Sequence, residues 1–269
     1  MPPKKVISKD ERDAQLCELS RGASKAFQNA EELFQEASLL HAHGALSRAL
    51  FLHQISMEEC AKIEILGTWA TSLLMGFEVD LRKLSVALAS HKTKNYTNAY
   101  MLPATKDELE ARKNANWHGS MNAFRQHQAK FHLDSNSAKN ASLYVDHENG
   151  QFSSPKEKIT EPMVADIARL NSEFLAFVHL KVNMLSRWQG DADEVQRMVT
   201  WFATRAEELR VQLPKDPEGA FSILMREMLE RAKPKRYYSV VAGIESNADD
   251  PRAVASASAR PRKLQRRRK

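Results

Sequence analysis

Four stretches of this 269-residue chain carry side chains able to move a proton or hold an anion. The first is Met57-Glu58-Glu59-Cys60-Ala61-Lys62. On a helix Glu58/Lys62 (i, i+4) and Glu59/Lys62 (i, i+3) lie side by side, with the acid N-terminal to the base as the favourable orientation requires. Ser56 and Glu59 also fall in an apolar seam, where a carboxylate needs a partner or a shifted pKa. The second stretch is His91-Lys92, an imidazole beside a cation, with Lys94 adding positive charge. The third is Arg112-Lys-Asn-Ala-Asn-Trp-His118. Arg112 with His118, or His91 with Lys92, would pair a proton-transfer group with a cation able to stabilise an anionic transition state. The fourth is the basic C-terminal end. Each has a plainer alternative: a structural ion pair, a hydrogen-bonded core histidine, or a solvated charged face.

The elements that must position these groups follow from periodicity. Ala45, Ala49, Leu52, Ser56, Glu59, Ile63, Leu66, Ala70 and Leu73 recur at alternating four- and three-residue steps, the seam of a long helix over Leu46–Leu74. An earlier helix begins at the capping-box pattern Ser8-Lys9-Asp10-Glu11 and carries Leu16, Leu19, Ala23, Ala26, Ala30, Leu33, Ala37 and Leu40 at the same steps. Alanine-rich seams and the short break His41-Ala42-His43-Gly44 predict a close antiparallel hairpin. His41 and His43 lack a nearby cysteine or carboxylate pair, so a solvated turn is preferred to a metal site.

The central helix should stop near Gly76, and Asp80 should cap a helix whose inward face is Leu81, Leu84, Leu88 and His91. A helix from the box Thr105–Glu108 to about His132 should bury Leu109, Trp117, Met121, Phe124 and Phe131. The run Asp134–Asn140 has loop composition, and Ser142–Asp146 has strand character, with Tyr144 as an anchor and Asn149-Gly150 as a tight turn. Thr160 and Pro162 open a helix bearing Val164, Asn171, Phe174, Val178 and Leu185, ended by Gly190. Two more amphipathic helices carry Val195 to Leu209 and Phe221 to Met228, to extend the bundle or form a dimer surface. A further Arg/His pair, Arg48 and His53, is turned about 140° apart on a helix and cannot share a face. Arg112 and His118 are splayed as well, so a joint site there needs a helix end, a kink or a dimer interface.

The order Glu58-Glu59-x-x-Lys62, then His91-Lys92, then Leu143-Tyr144-Val145-Asp146 followed by Gly150 and Ser154-Pro155, resembles the AbiV family of abortive-infection proteins over roughly residues 15 to 185. The resemblance implies an all-α, HEPN-like bundle in a bacterial phage-defence protein. Its superfamily contains dimeric ribonucleases with an Arg-x(4–6)-His motif, which would make Arg112 and His118 the catalytic pair of a metal-independent endoribonuclease. His91 is the third catalytic candidate, and Ser56, Glu58, Glu59, Lys62, Lys92, Tyr144 and Asp146 form the family-type binding or structural motif. Implied partners are RNA, a phage-encoded protein and a second copy of the chain. The competing class is a non-catalytic helical module that binds a phage or host protein.

Composition bounds the rest. No run of eighteen apolar residues exists, so no membrane partner is expected. Cys17 and Cys60 form no CxxC pair, which suits buried thiols in a reducing cytoplasm. Without a Gly-rich phosphate loop, a nucleophile elbow or a Glu-x-x-His pair, the chain lacks the parts of most nucleotide-dependent, hydrolase and di-metal classes, and neither cofactor nor metal is expected. The net charge is +6, and the eight basic and two acidic residues from Ser246 onward account for all of it. Arg260, Arg262, Lys263, Arg266, Arg267, Arg268 and Lys269 thus form a nucleic-acid-binding tail with nothing to bury. The expected organisation is all-α: a disordered 1–7, a helical domain 8–190 with a small β-hairpin insertion, additional helices in 191–233, and a flexible basic tail 234–269.

Overall fold

A computed structural model describes residues 8–74, 77–188, 192–209, 223–224 and 226–227. Expectations at 1–7, Gly76, Gly190, most of Phe221–Met228 and the whole basic tail lie outside the described residues.

The described chain is an all-α bundle with one small hairpin. Helix α1 (Lys9–Ala42) starts where Ser8 Oγ accepts the Glu11 backbone N–H at 3.2 Å, and Asp10 and Glu11 complement the positive end of the helix. It turns at Gly44, whose φ of 74° suits a residue without a Cβ, into α2 (Leu46–Leu74). The alanines Ala23, Ala26, Ala30 and Ala37 are buried between the two helices, and their small size lets the backbones approach. Helix α8 (Glu161–Arg187) closes this core with Phe174, Val178, Val182 and Leu185, and α9 (Ala192–Leu209) adds Val195, Met198 and Phe202.

Polar groups are threaded through the packing. Ser56 Oγ is shared between the Ala30 carbonyl at 2.7 Å and Asn171 Oδ1 at 3.2 Å, and Asn171 Nδ2 donates to His53 Nδ1 at 3.2 Å. These side chains tie α1, α2 and α8 together without reaching water. Between two and three turns further on, Lys181 of α8 pairs with Glu64 of α2 across Gly67, where a Cβ would lie 2.5 Å from Lys181 Cδ. Glycine is needed there for the lysine stem to pass.

The second layer departs from expectation in several places. Asp80 does cap α3 (Leu81–Ala89), but the helix ends before His91, and Ser90 caps a new helix, α4 (His91–Asn98), by accepting the Thr93 N–H at 3.2 Å. His91 is therefore not the inward end of the α3 face. Next, the helix opened by the Thr105/Glu108 capping box is α5 (Lys106–Lys113), and it stops at Ala115, φ 51°, before Asn116 caps α6 (Trp117–Leu143). Leu109, Trp117 and Met121 are exposed, not buried. Finally, α6 runs straight through Asp134–Asn140, because its inward side chains are Ser120, Gln128, Ser135, Lys139 and Ser142. The strand begins later than expected. β1 (Asp146–Glu148) pairs antiparallel with β2 (Gln151–Ser153) around Asn149-Gly150, both residues at positive φ as a tight two-residue turn requires. Tyr144 precedes the strand and is 59% exposed, so it anchors nothing. A short helix, α7 (Pro155–Lys158), leads into α8. No helix among the described residues is long and apolar enough to cross a membrane.

Burial has a measurable cost at His53, which is 0% exposed and whose Nε2 has no partner among the described residues. Desolvation first, then the nearby His41, lowers its pKa to about 4. Between about pH 6.5 and 4 the unfolded chain binds a proton there that the folded chain refuses, so stability should fall as pH drops through that window. The slope approaches roughly 1.4 kcal/mol per pH unit, or about 3 kcal/mol in all. Urea unfolding at pH 7, 6 and 5 should show this loss, and His53→Gln should flatten it; parallel pH profiles for the two proteins would contradict it.

Candidate functional site

Three of these helices converge on one carboxylate. Glu58 projects from α2 toward α4 and α6 and is 4% exposed. Its Oε1 accepts from Lys139 Nζ of α6 at 2.9 Å, and its Oε2 from Lys94 Nζ of α4 at 2.7 Å. His91 Nδ1 lies 2.8 and 2.6 Å from the two oxygens. Burial alone would push this carboxyl up, but the hydrogen bonds and charges of Lys94 and Lys139 outweigh it and hold the pKa below the ordinary value. Glu58 is thus ionised at neutral pH with two ammonium groups against it.

The environment fixes His91. Facing a carboxylate, Nδ1 must carry the proton and donate it, so the Lys139 ammonium at 3.3 Å is a neighbouring charge and not its bonding partner. Nε2 is then the basic nitrogen, on a ring that is 57% exposed. A carboxylate behind an imidazole whose far nitrogen meets solvent can accept a proton at Nε2 and stabilise the resulting cation. Beside it Lys92 lies exposed, its Nζ 5.4 Å from the centre of the Tyr96 ring. The rest of the inner α4 face is polar too: Asn95 Nδ2 donates to His132 Nδ1 at 3.2 Å, and Asn98 Nδ2 to the Met57 carbonyl at 2.9 Å.

Other expected site residues are placed elsewhere. Lys62 does not reach Glu58; it bonds Glu59 at 2.6 Å, because consecutive residues on α2 point about 100° apart. The Glu59–Lys62 pair sits at the edge of the core, with the Lys62 side chain 28% exposed. Ser56 faces α1 and α8. Asp146 bonds Lys158 at 2.8 Å at the foot of the hairpin. Arg112 and His118 flank the α5/α6 break but are not brought together. Arg112 Nε donates to Ser120 at 3.2 Å and its guanidinium lies 3.7 Å from buried Glu108, whereas His118, two residues before Ser120, is on the exposed side of α6. Arg48 is exposed and His53 buried, splayed as their spacing requires. His41 binds Glu161 and His43 the Leu39 carbonyl, and no group of three or more metal-ligating side chains occurs among the described residues.

Neither Lys139 nor His132 stands out in the sequence, since Asp134–Asn140 has loop composition and His132 lies where the apolar face ending in Phe131 runs out. A signal was present. Gln128, His132, Ser135, Lys139 and Ser142 alternate by four and three, a helical seam written in polar residues.

The sequence profile of a family described as AbiV matches residues 18–176, more than half of the chain and all of the Glu58 cluster. A protein of Sinorhizobium fredii known as uncharacterized protein y4gJ is 36% identical over 123 residues, 46% of this chain. The chain spans 64% of the length of that curated relative. No solved structure matches.

The geometry ranks the two acids of the motif. Glu58→Gln would leave Lys94 and Lys139, 7% and 10% exposed, without their counter-charge and should cost roughly 3–5 kcal/mol. Glu59→Gln touches a wetter pair and should cost about 1 kcal/mol or less. Urea denaturation of the two variants checks the order, and equal losses would contradict it.

Proposed function

The chain belongs to the AbiV family, and from that premise we propose that it is a bacterial abortive-infection protein that limits phage infection by cleaving RNA as a HEPN-like endoribonuclease, with His91 as its proton-transfer group. One observation carries this choice over Arg112 and His118: the 2.6 Å contact between the buried Glu58 carboxylate and His91 Nδ1, on a ring that is otherwise open. His91 Nε2 would take the proton of a ribose 2′-hydroxyl as that oxygen attacks phosphorus. The bond to the 5′-oxygen breaks, the leaving oxygen takes a proton from solvent, and the products are a 2′,3′-cyclic phosphate and a free 5′-hydroxyl. Lys92 is the adjacent cation for the charge on the phosphorane. Glu58 orients the imidazole and Lys94 and Lys139 keep Glu58 ionised. The basic residues from Arg260 to Lys269 would add sequence-independent affinity for the strand. Arg112 and His118 enter only if two chains pair and bring one copy's His118 to the other's surface.

A second reading, a non-catalytic module that binds a phage-encoded or host protein, is favoured by the exposed apolar side chains Tyr144, Val145 and Phe152 around the hairpin.

The test is purified protein with total cellular RNA under reducing conditions in EDTA, and the same variants in phage-challenged cells. Cleavage should yield cyclic phosphate ends. His91→Ala should lower the rate at least about a hundredfold with an unchanged helical signal, while His118→Ala stays within a few-fold of wild type. Intact RNA with wild-type protein, or loss of activity in His118→Ala alone, overturns the assignment; intact RNA with undiminished phage protection by His91→Ala favours the binding module.

A further inference from the structure

Helices α4 and α6 meet as an antiparallel polar ladder. His91 stands against Lys139 at 3.3 Å, Asn95 against His132 at 3.2 Å, and the Tyr96 carbonyl against Gln128 Nε2 at 2.9 Å. The reversed order of the α6 numbers sets the direction. His91 and Asn95 are four residues apart, so the two histidines line one edge about 6 Å apart along α4.

The tautomer of His132 is fixed by its partner. An amide NH2 can only donate, so His132 Nδ1 accepts from Asn95 and the ring proton is on Nε2. His91 is the mirror case, with its proton on Nδ1 toward Glu58 and its lone pair on Nε2. One edge therefore presents a basic nitrogen and an N–H donor. Lys92 supplies charge nearby: its Nζ lies over the Tyr96 ring, whose centre is 5.9 Å from that of His132.

We propose that this α4/α6 edge is a phosphodiester-binding site in which His132 Nε2–H donates to a non-bridging phosphate oxygen and Lys92 provides the charge. It deepens the ribonuclease reading, on which it rests, by giving the phosphate its own partners. Burial, then the charges of Lys92 and Lys139, lower the His132 pKa against the opposing pull of Glu58, with His91 acting in the same direction as the lysines. The ring is thus a neutral donor at pH 7, and its hydrogen bond to an anion needs no proton to be taken up.

A 2′-O-methyl oligoribonucleotide, which cannot be cleaved, separates binding from catalysis. Fluorescence anisotropy of the full-length chain should show roughly tenfold weaker binding for His132→Ala, with partial recovery in His132→Gln, which keeps an N–H donor. The salt dependence should distinguish the two partners: His132→Ala leaves the slope of log K against log salt unchanged, whereas Lys92→Met makes it shallower by about 0.7. Diethylpyrocarbonate modification, mapped by peptide mass, should find His91 and His132 both protected by the bound strand. The site is overturned if RNA binds while His132 reacts at its free-protein rate, or if His132→Ala and wild type bind equally. Binding with these signatures but no cleavage of ordinary RNA would uphold the site and overturn the ribonuclease.

Discussion

A carboxylate withdrawn from water is unstable unless opposite charges follow it in, and Glu58 is withdrawn almost completely. Two lysines follow it, one from α4 and one from α6. That requirement explains much of the second layer. Helix α4 is short and starts afresh at Ser90 because Lys94 and His91, three residues apart, must both face α2. Helix α6 is long and turned with its polar side inward because Lys139 must reach Glu58 and Gln128 must reach α4. His91, at the first position of α4, is the member of the cluster left at the rim.

The first layer supplies the rigidity that such a cluster needs. Alanine contacts bring α1 and α2 close, and α8 locks onto α2 through Ser56–Asn171–His53 and Glu64–Lys181 and onto α1 through Ser20 Oγ, which donates to the Leu185 carbonyl. Polar groups in these positions stabilise little relative to apolar ones of the same shape, but each restricts the helices to one register, since a slip leaves a buried donor or acceptor unpaired. Cys60, in the same helix, has its thiol pushed up by burial and then by Glu64 and Glu59, so it is chemically quiet and acts as a small apolar side chain. The inner face of α2 is thus fixed and inert.

Features governed by local rules were legible in the sequence. The α1/α2 hairpin followed from two seams and a short break, α5 from its capping box, the Asn149-Gly150 turn from its positive φ requirement, and the Glu59–Lys62 pair from its spacing. The family resemblance named Glu58 and His91 together. What stayed hidden depended on distant partners. Glu58 and Lys139 are 81 residues apart, and nothing local to either announces the other. Helix α6 defeated the usual apolar pattern by burying serines and a lysine while exposing Leu133, Trp117 and Met121. The Arg112/His118 spacing was visible, but not the partners: Arg112 lies against Glu108 within α5 and against Ser120 across the break at Ala115.

Glu58 holds the proton of His91 on Nδ1 and so leaves Nε2 with its lone pair free. Nitrogen-15 chemical shifts of the neutral His91 ring, recorded on selectively labelled full-length protein, measure this directly. A protonated Nδ1 and an unprotonated Nε2 are expected, the reverse of the preference of a free imidazole side chain. A protonated Nε2, or the mixture seen in a solvated histidine, would contradict it.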